Sequence, residues 1–185
     1  SIDLGTELKL VKRSMKLMGN QFEITIGNKE ESEAEDLIAL AVEEIRSIEK
    51  RLTSFSDTSE THLINSHAGI KPVAVSSETI ALINRANRIS EITQGAFDLS
   101  YGSIDKRLWN FDKTMTSLPD EQTARQMVRL INYRNIVIDD QNATVFLKEK
   151  GMRIGFGGIG KGYAAEKAKT LLKKMGVDSG IVNAS

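Results

Sequence analysis

Gly155-Phe156-Gly157-Gly158-Ile159-Gly160-Lys161-Gly162-Tyr163-Ala164-Ala165 is the stretch of this sequence from which the rest is best interpreted. Its glycines allow the backbone to approach a ligand closely. A helix with free N–H groups at its start is predicted to follow, and Lys161 would add a positive charge there. The stretch therefore suits a phosphate or a pyrophosphate. The residues that the following helix should turn inward are Ala164, Ala168, Leu171, Leu172 and Met175.

Two generic phosphate-binding motifs fit this stretch incompletely. Gly155, Gly157 and Gly160 have the G-x-G-x-x-G spacing of dinucleotide sites. The acidic residue that should end the next strand is missing, however, because Asp178 precedes that strand. The stretch also nearly matches a P-loop, except that Gly162 stands where Ser or Thr would hold magnesium. The motif shape alone therefore supports a ligand-binding turn and a tightly packed turn about equally.

Outward from this stretch, the sequence predicts helices that alternate with hairpins. Alternating apolar residues over 8–27, with Gly19-Asn20 as a turn signal, predict a first hairpin. A long amphipathic helix then runs to Leu52, and a polar loop with one short helical stretch follows. Later helices are predicted from Ser76 or Ser77 to near Gly95 and from Pro119, with strands at 73–75, 135–139, 144–148 and 180–183. The fold class is therefore α+β, with a mixed, largely antiparallel sheet and flanking helices.

Composition narrows the classes of function. Lys plus Arg and Asp plus Glu number 25 each, so no net field favours nucleic acid. The sequence has no cysteine, which excludes disulfides, thiolate nucleophiles and cysteine-ligated metals. The longest apolar-rich run, 37–42, is far shorter than the ~20 residues that cross a bilayer. Residues 1–5 lack the pattern of a signal peptide. We expect no nucleic-acid partner and no transmembrane segment.

Several segments, in the same order, resemble motifs of ApbE-type FAD:protein FMN transferases. Residues 157–165 resemble the family's central GG-I-x-KGYA signature. Upstream, Met18-Gly19-Asn20-Gln21-Phe22 resembles MG-T-x-F, and residues 52–60 resemble LS-T-Y followed by DSE. Gly95-Ala96-Phe97-Asp98 resembles GAFD, and 182–185 resembles the strand before the family's next glycine motif. The resemblance runs from about Met18 to the last residue, and motifs in a fixed order are more specific than any one of them.

The resemblance implies a flavin site on particular residues. Gly158 stands where a main-chain carbonyl helps to bind Mg²⁺ in the family. A structural role competes at three of the other positions, because Met18 could simply be a hairpin residue, Phe97 is expected to pack in a core and Asp98 could equally cap a turn. The family's FAD contacts fall here on Met18, Phe55, Ala96, Phe97, Asp98, Gly155 and Lys161.

The resemblance also implies a fold and an activity. The fold would be a single ApbE-like, T-fold-like domain over residues 1–185. The activity would be magnesium-dependent transfer of FMN from FAD to a threonine of a target flavoprotein, with release of AMP. The location would be periplasmic or associated with the cell envelope, and a cytoplasmic location stays open.

Three departures from the family pattern qualify this expectation. Phe55 stands where many members have Tyr, and Gly155 stands where many have a carboxylate. The family's further metal ligands, an Asp and a Thr, lie downstream and have no counterpart before Ser185. We therefore expect a chain truncated at its C-terminus, with an open sheet edge and weak or no activity alone. The alternative is an FAD-binding protein of the same scaffold without transferase activity; the missing acidic residue disfavours a NAD-dependent Rossmann enzyme.

Overall fold

The computed structural model describes residues 9–104 and 120–185, so the predicted helix start at Pro119 lies outside the described residues. The elements in chain order are β1 (Leu10–Leu17), β2 (Asn20–Gly27), α1 (Glu31–Leu52), α2 (Glu60–Ser66), β3 (Val73–Ala74), α3 (Ser77–Ile92), α4 (Glu121–Arg129), β4 (Ile136–Asp139), β5 (Thr144–Leu147), α5 (Gly157–Lys174) and β6 (Gly180–Ala184). Short 3₁₀ turns at Leu99–Ser103 and Tyr133–Asn135 were not predicted.

Contacts within the chain group it into two compact units. The terminal unit consists of Ser1–Lys50 and Gly157–Ser185, and the central unit is Arg51–Phe156. Each unit has its own three-stranded sheet, and every strand pair among the described residues is antiparallel. The α+β class with largely antiparallel sheet is therefore confirmed, and the single domain over 1–185 stays a prediction.

The terminal unit is built on the sheet β1-β2-β6, in which β2 is the central strand. Alternate residues of β2 point to one face and are fully buried, as the period-two pattern predicts. Helix α1 turns an apolar stripe toward a core, and α5 does the same with small residues one turn apart. The buried residues are Phe22, Ile24 and Ile26 of β2, Ala34, Ala41, Ile45 and Ile48 of α1, and Ala164, Ala168 and Leu172 of α5.

Two details of the terminal unit differ from the prediction. Leu17 pairs with Asn20, so the turn of the first hairpin is Met18-Gly19 rather than Gly19-Asn20. Both turn residues have positive φ, at 54° and 71°, as a type I′ turn requires. Met175 is exposed instead of inward-facing, because α5 ends at Lys174 and the chain then turns through the left-handed Gly176.

The central unit is built on the sheet β3-β5-β4 with α2 and α3. Serine side chains cap both helices, because Ser59 accepts from the His62 amide and Ser76 accepts from the Thr79 amide. The predicted second hairpin is confirmed, with Ile136 opposite Leu147 and Asp139 opposite Thr144. The fully buried side chains of this unit include Ile64, Ile83, Leu99, Val145, Leu147, Met152 and Ile154.

Candidate functional site

The glycine stretch is preceded by an extended segment, residues 152–156, which we call the entry segment. Its side chains alternate as in a strand: Met152, Ile154 and Phe156 are buried, while Arg153 is exposed and Gly155 is partly exposed. Among the described strands, none pairs with it. Its backbone polar groups therefore need other partners.

Two side chains from distant parts of the central unit supply those partners. The Asn65 amide donates to the carbonyl oxygen of Ile154 at 3.1 Å and accepts from the amide of Ile154 at 2.8 Å. The Ser103 hydroxyl donates to the carbonyl oxygen of Arg153 at 3.1 Å and accepts from its amide at 3.0 Å. Each side chain thus satisfies both polar groups of one residue, which a neighbouring strand would otherwise do.

The 3₁₀ turn Leu99–Ser103 also contacts the entry segment through its backbone. The carbonyl oxygen of Leu99 accepts from the amide of Gly155 at 3.0 Å. A Cβ atom added at Gly102 would lie 2.6 Å from the carbonyl carbon of Ile154 and 2.7 Å from the amide nitrogen of Gly155. Only glycine permits this approach without movement of the backbone. The turn that follows the GAFD-like motif is therefore packed directly onto Gly155.

The carboxylate of Asp98 is occupied within the protein. One oxygen accepts from the Ser100 amide at 2.8 Å and the Ser100 hydroxyl at 2.6 Å, and the other accepts from the Tyr133 amide at 3.0 Å. Asp98 is buried and caps the 3₁₀ turn, which is the structural alternative that the sequence left open for it. Beside it, Ala96 is exposed and Phe97 is half-buried. Any contact of this segment with a ligand therefore falls to its backbone and to Ala96 and Phe97.

Phe55 projects from a polar loop, residues 53–59, with 96% of its surface exposed. Buried Ser59 closes the loop: its hydroxyl donates to the carbonyl oxygen of Thr53, and its amide donates to the carbonyl oxygen of Ser56 at 3.2 Å. The Phe55 amide also donates to the Thr53 hydroxyl at 3.3 Å. The ring of Phe55 is therefore presented to the surroundings on a closed loop, and its faces are open to contact.

Glu60, which the sequence comparison included only as part of a motif, has a structural role. Its carboxylate accepts from the Ser76 amide at 2.7 Å, from the Ser76 hydroxyl at 3.1 Å, and from the Thr79 hydroxyl. Glu60 therefore joins the start of α2 to the start of α3. No local sequence pattern predicts this contact, because the partners lie 16 and 19 residues away.

The remaining candidate residues lie in the terminal unit. Met18 occupies the first hairpin turn, and its amide donates to the Glu49 carboxylate. Gly157 begins α5 with φ of 51°, a conformation that glycine adopts without strain. Gly158 is exposed in the first turn of α5, and Lys161 follows half-buried. The start of α5 thus offers backbone N–H groups and a lysine to an anion.

The candidate residues consequently fall into two groups. Within the central unit, the turn that directly follows Ala96-Phe97-Asp98 contacts Gly155 through the Leu99 carbonyl and Gly102, and Phe55 belongs to the same unit. Met18, Gly158 and Lys161 belong to the terminal unit. Their roles toward FAD stay predictions.

A magnesium site is not formed by the described residues alone. Residues 9–104 and 120–185 contain no cluster of three or more His, Asp or Glu side chains that could hold a metal. Gly158 offers a single main-chain oxygen, and inside a helix that oxygen points toward the N–H four residues later. Magnesium requires about six oxygen ligands in octahedral geometry. Gly158 by itself therefore does not fit the ion.

Comparison with known proteins identifies the family. Residues 18–185 match the ApbE family. The chain belongs to the ApbE family. A curated FAD:protein FMN transferase of Klebsiella pneumoniae is 30% identical over 170 residues, which cover 92% of this chain and 52% of that protein. One of Treponema pallidum is 31% identical over 137 residues, covering 71% of this chain and 38% of that protein.

Solved ApbE structures have the same fold. The crystal structure of the ApbE protein of Thermotoga maritima superposes with a TM-score of 0.82 at 25% identity, covering 95% of this chain and 57% of that one. The flavin transferase ApbE of Vibrio cholerae gives 0.84 at 19% identity, again covering 95% and 57%. The chain thus spans about half the length of the relatives it matches. Among the described helices, none has the length and apolarity needed to cross a membrane.

Proposed function

We propose that this ApbE-family chain binds FAD and acts in magnesium-dependent transfer of FMN from FAD to a threonine of a target flavoprotein. The observation that carries the proposal is the packing of the 3₁₀ turn Leu99–Ser103, which directly follows the GAFD-like segment, onto Gly155, which lies two residues before the glycine motif at 157–165. Membership of the family, whose curated relatives are FAD:protein FMN transferases, supports the choice of ligand and reaction.

The proposed reaction is a phosphoryl transfer. The threonine Oγ of the target attacks the phosphorus on the FMN side of the FAD pyrophosphate and forms a new P–O bond. The bond from that phosphorus to the bridging oxygen breaks, and its electron pair leaves with AMP. The hydroxyl proton passes to the surrounding water. The products are FMN linked to threonine by a phosphoester and free AMP.

Different residues of the chain would bind different parts of FAD. Phe55 would stack on an aromatic ring of FAD, since it is exposed and its loop is closed by Ser59. Backbone atoms of Ala96-Phe97-Asp98 and of Gly155 would line the ligand. Lys161 and the first N–H groups of α5 would neutralise the pyrophosphate. Met18 would contribute an apolar contact from its turn.

Magnesium would draw most of its ligands from outside the described residues of the chain. Gly158 would give one main-chain oxygen, and the other ligands would come from FAD phosphates, water or residues beyond those described. An envelope location is a separate proposal, which fractionation of cells that produce the protein would test.

A second candidate function is FAD binding without transfer. Two residues favour it: Phe55 has no hydroxyl group, and Gly155 has no side chain where many family members have a carboxylate. The surfaces described above would hold the ligand equally in both cases. The two functions differ in whether AMP is released when an acceptor is present.

The deciding experiment is titration of FAD into the purified chain, with and without Mg²⁺, followed by calorimetry and flavin fluorescence. We expect micromolar binding that weakens at least tenfold in Lys161→Ala, because removing a charge-assisted contact costs about 1.5–3 kcal/mol. Lys169→Ala, an exposed lysine further along α5, is the matched control and should bind like the wild type. Equal loss in both variants, or no binding by the wild type, would contradict the proposed site.

The transfer step needs its own assay. The chain is incubated with FAD, Mg²⁺ and the apo form of a flavoprotein that carries FMN on threonine. Transfer gives flavin fluorescence that survives denaturing electrophoresis, together with one AMP for each flavin attached. Because weak or no activity is expected of this chain alone, FAD binding without AMP release fits both candidate functions, whereas AMP release coupled to flavin attachment, however slow, would support the first and contradict the second.

A further inference from the structure

Asn65 lies in the short helix α2, which is linked to two candidate flavin contacts, Phe55 and Gly155. It belongs to the last turn of α2, and Ser59, which caps the start of α2, closes the loop that carries Phe55. Seven helical residues span about 10 Å. Helix α2 therefore connects the Phe55 loop at one end with the entry segment at the other.

We propose that Asn65 and Ser103 are positioning residues that fix the backbone of the entry segment, and hence Gly155, for the binding of FAD. This inference rests on the proposed function and assigns roles to two residues outside the family-derived set of contacts. Neither residue needs to touch the ligand. Asn65 acts through Ile154, and Ser103 acts through Arg153.

The geometry of the contacts supports positioning rather than simple packing. Packing of Met152, Ile154 and Phe156 anchors the side chains of the entry segment, but it leaves the direction of each peptide group undetermined. Asn65 binds both the amide and the carbonyl oxygen of Ile154, and Ser103 does the same for Arg153. With the Leu99 carbonyl on the Gly155 amide, successive peptide groups are oriented up to the start of the glycine stretch.

Glu60 extends the same framework. Through Ser76 and Thr79 it holds the start of α2 against the start of α3. Helix α2 is fixed at its first residue by Glu60, and in its last turn Asn65 hydrogen-bonds to Ile154. The helix therefore sets the distance between the Phe55 loop and Gly155. Loss of the Asn65 contacts should therefore release Gly155 while the Phe55 loop stays closed.

The test uses the whole chain and two readouts: the dissociation constant of FAD, and amide hydrogen exchange at Arg153, Ile154 and Gly155. Asn65→Leu keeps the size of the side chain and removes both hydrogen bonds. We expect at least about tenfold weaker FAD binding, because two backbone groups lose their partners, and faster exchange at Ile154 and Gly155. Ser103→Ala should weaken binding about threefold, and Ser103→Thr, which keeps the hydroxyl, should restore it.

The matched control is Ile83→Val, which removes a methylene group from a fully buried side chain of α3 and leaves every hydrogen bond to the entry segment in place. It should lower the melting temperature and leave the FAD dissociation constant unchanged. If it weakens FAD binding as much as Asn65→Leu, the effect is general destabilisation and the positioning role is wrong. If Asn65→Leu does not fold, the Ser103→Ala and Ser103→Thr pair decides by whether the hydroxyl rescues binding.

The outcomes also separate this inference from the proposed function. If the wild type binds FAD and Asn65→Leu and Ser103→Ala bind it equally well, the positioning role is wrong and the proposed function is retained. Absence of FAD binding by the wild type would overturn both the proposed function and a flavin-related role for Asn65. Hydrogen exchange would then still report whether the two side chains fix the entry segment.

Discussion

Replacement of Phe55 by Ala tests whether its ring stacks on FAD without also changing the stability of the protein. The side chain is 96% exposed, so its truncation removes almost no packing from the folded state. The free energy of unfolding should change by less than about 0.5 kcal/mol, as for other surface substitutions. Almost the whole effect of the change should therefore appear in the binding of FAD.

The expected size of this effect follows from the exposed ring. Stacking on one face would remove about 100 Å² of the ring from water, roughly half of a phenylalanine side chain. At about 25 cal/mol per Å², this burial contributes about 2.5 kcal/mol. The dissociation constant of FAD should accordingly rise about 60-fold in Phe55→Ala.

The assay is quenching of flavin fluorescence on titration with protein, at a temperature well below every melting transition. Phe55→Tyr keeps the ring and should bind within about threefold of the wild type. Ile92→Ala truncates another highly exposed apolar side chain of the central unit and should have no effect. An FAD dissociation constant within twofold of wild type for Phe55→Ala would show that the ring does not stack on the ligand.

Three further predictions concern the residues around the entry segment and one helix cap. Gly102→Ala should lower the free energy of unfolding by about 1–3 kcal/mol, since the added methyl group meets backbone atoms of Ile154 and Gly155. Thermal denaturation measures this loss. The control is Gly162→Ala, whose methyl group meets nothing within 4 Å and should not be destabilising. Asp98→Ala leaves three buried donors without their acceptor and should lower the melting temperature by about 6–12 °C, corresponding to about 3 kcal/mol; a loss below 2 °C would mean that water replaces the carboxylate. The bond from the Thr123 amide holds the pKa of Asp120 below its ordinary value of 3.8. The stabilisation of α4 by the ionised Asp120 cap is therefore complete above pH 3.8 and is lost as the pH falls through the lower folded-state pKa. The Thr123 amide resonance should titrate with a midpoint below 3.8. A midpoint at or above that value would contradict the cap.

The elements with a strong local pattern were predictable from the sequence. The apolar period of α1, the alternation in β2 and the serine cap of α3 depend on residues close to one another in the chain. The position of the first turn differed by one residue, because Met18 adopts a positive φ that its residue type does not suggest.

The framework around the entry segment was not predictable in the same way. Asn65 meets Ile154 across 89 residues, and Asp98 meets Tyr133 across 35. Polar residues in a loop or a short helix give no periodic signal for such partners. The resemblance to a family indicated which segments matter, but the roles of Asn65, Ser103 and Glu60 emerged only when their hydrogen bonds were visible.

Recognition of the entry segment through its backbone has a consequence for how the protein can diverge. Asn65 binds main-chain atoms of Ile154, and Gly102 is constrained by main-chain atoms on either side of the 154–155 peptide bond. Any apolar side chain that fills the same space at position 154 would leave those contacts intact. Side chains at positions 153 and 154 should therefore vary among relatives that keep this arrangement. Asn65 and Gly102 should not vary in them.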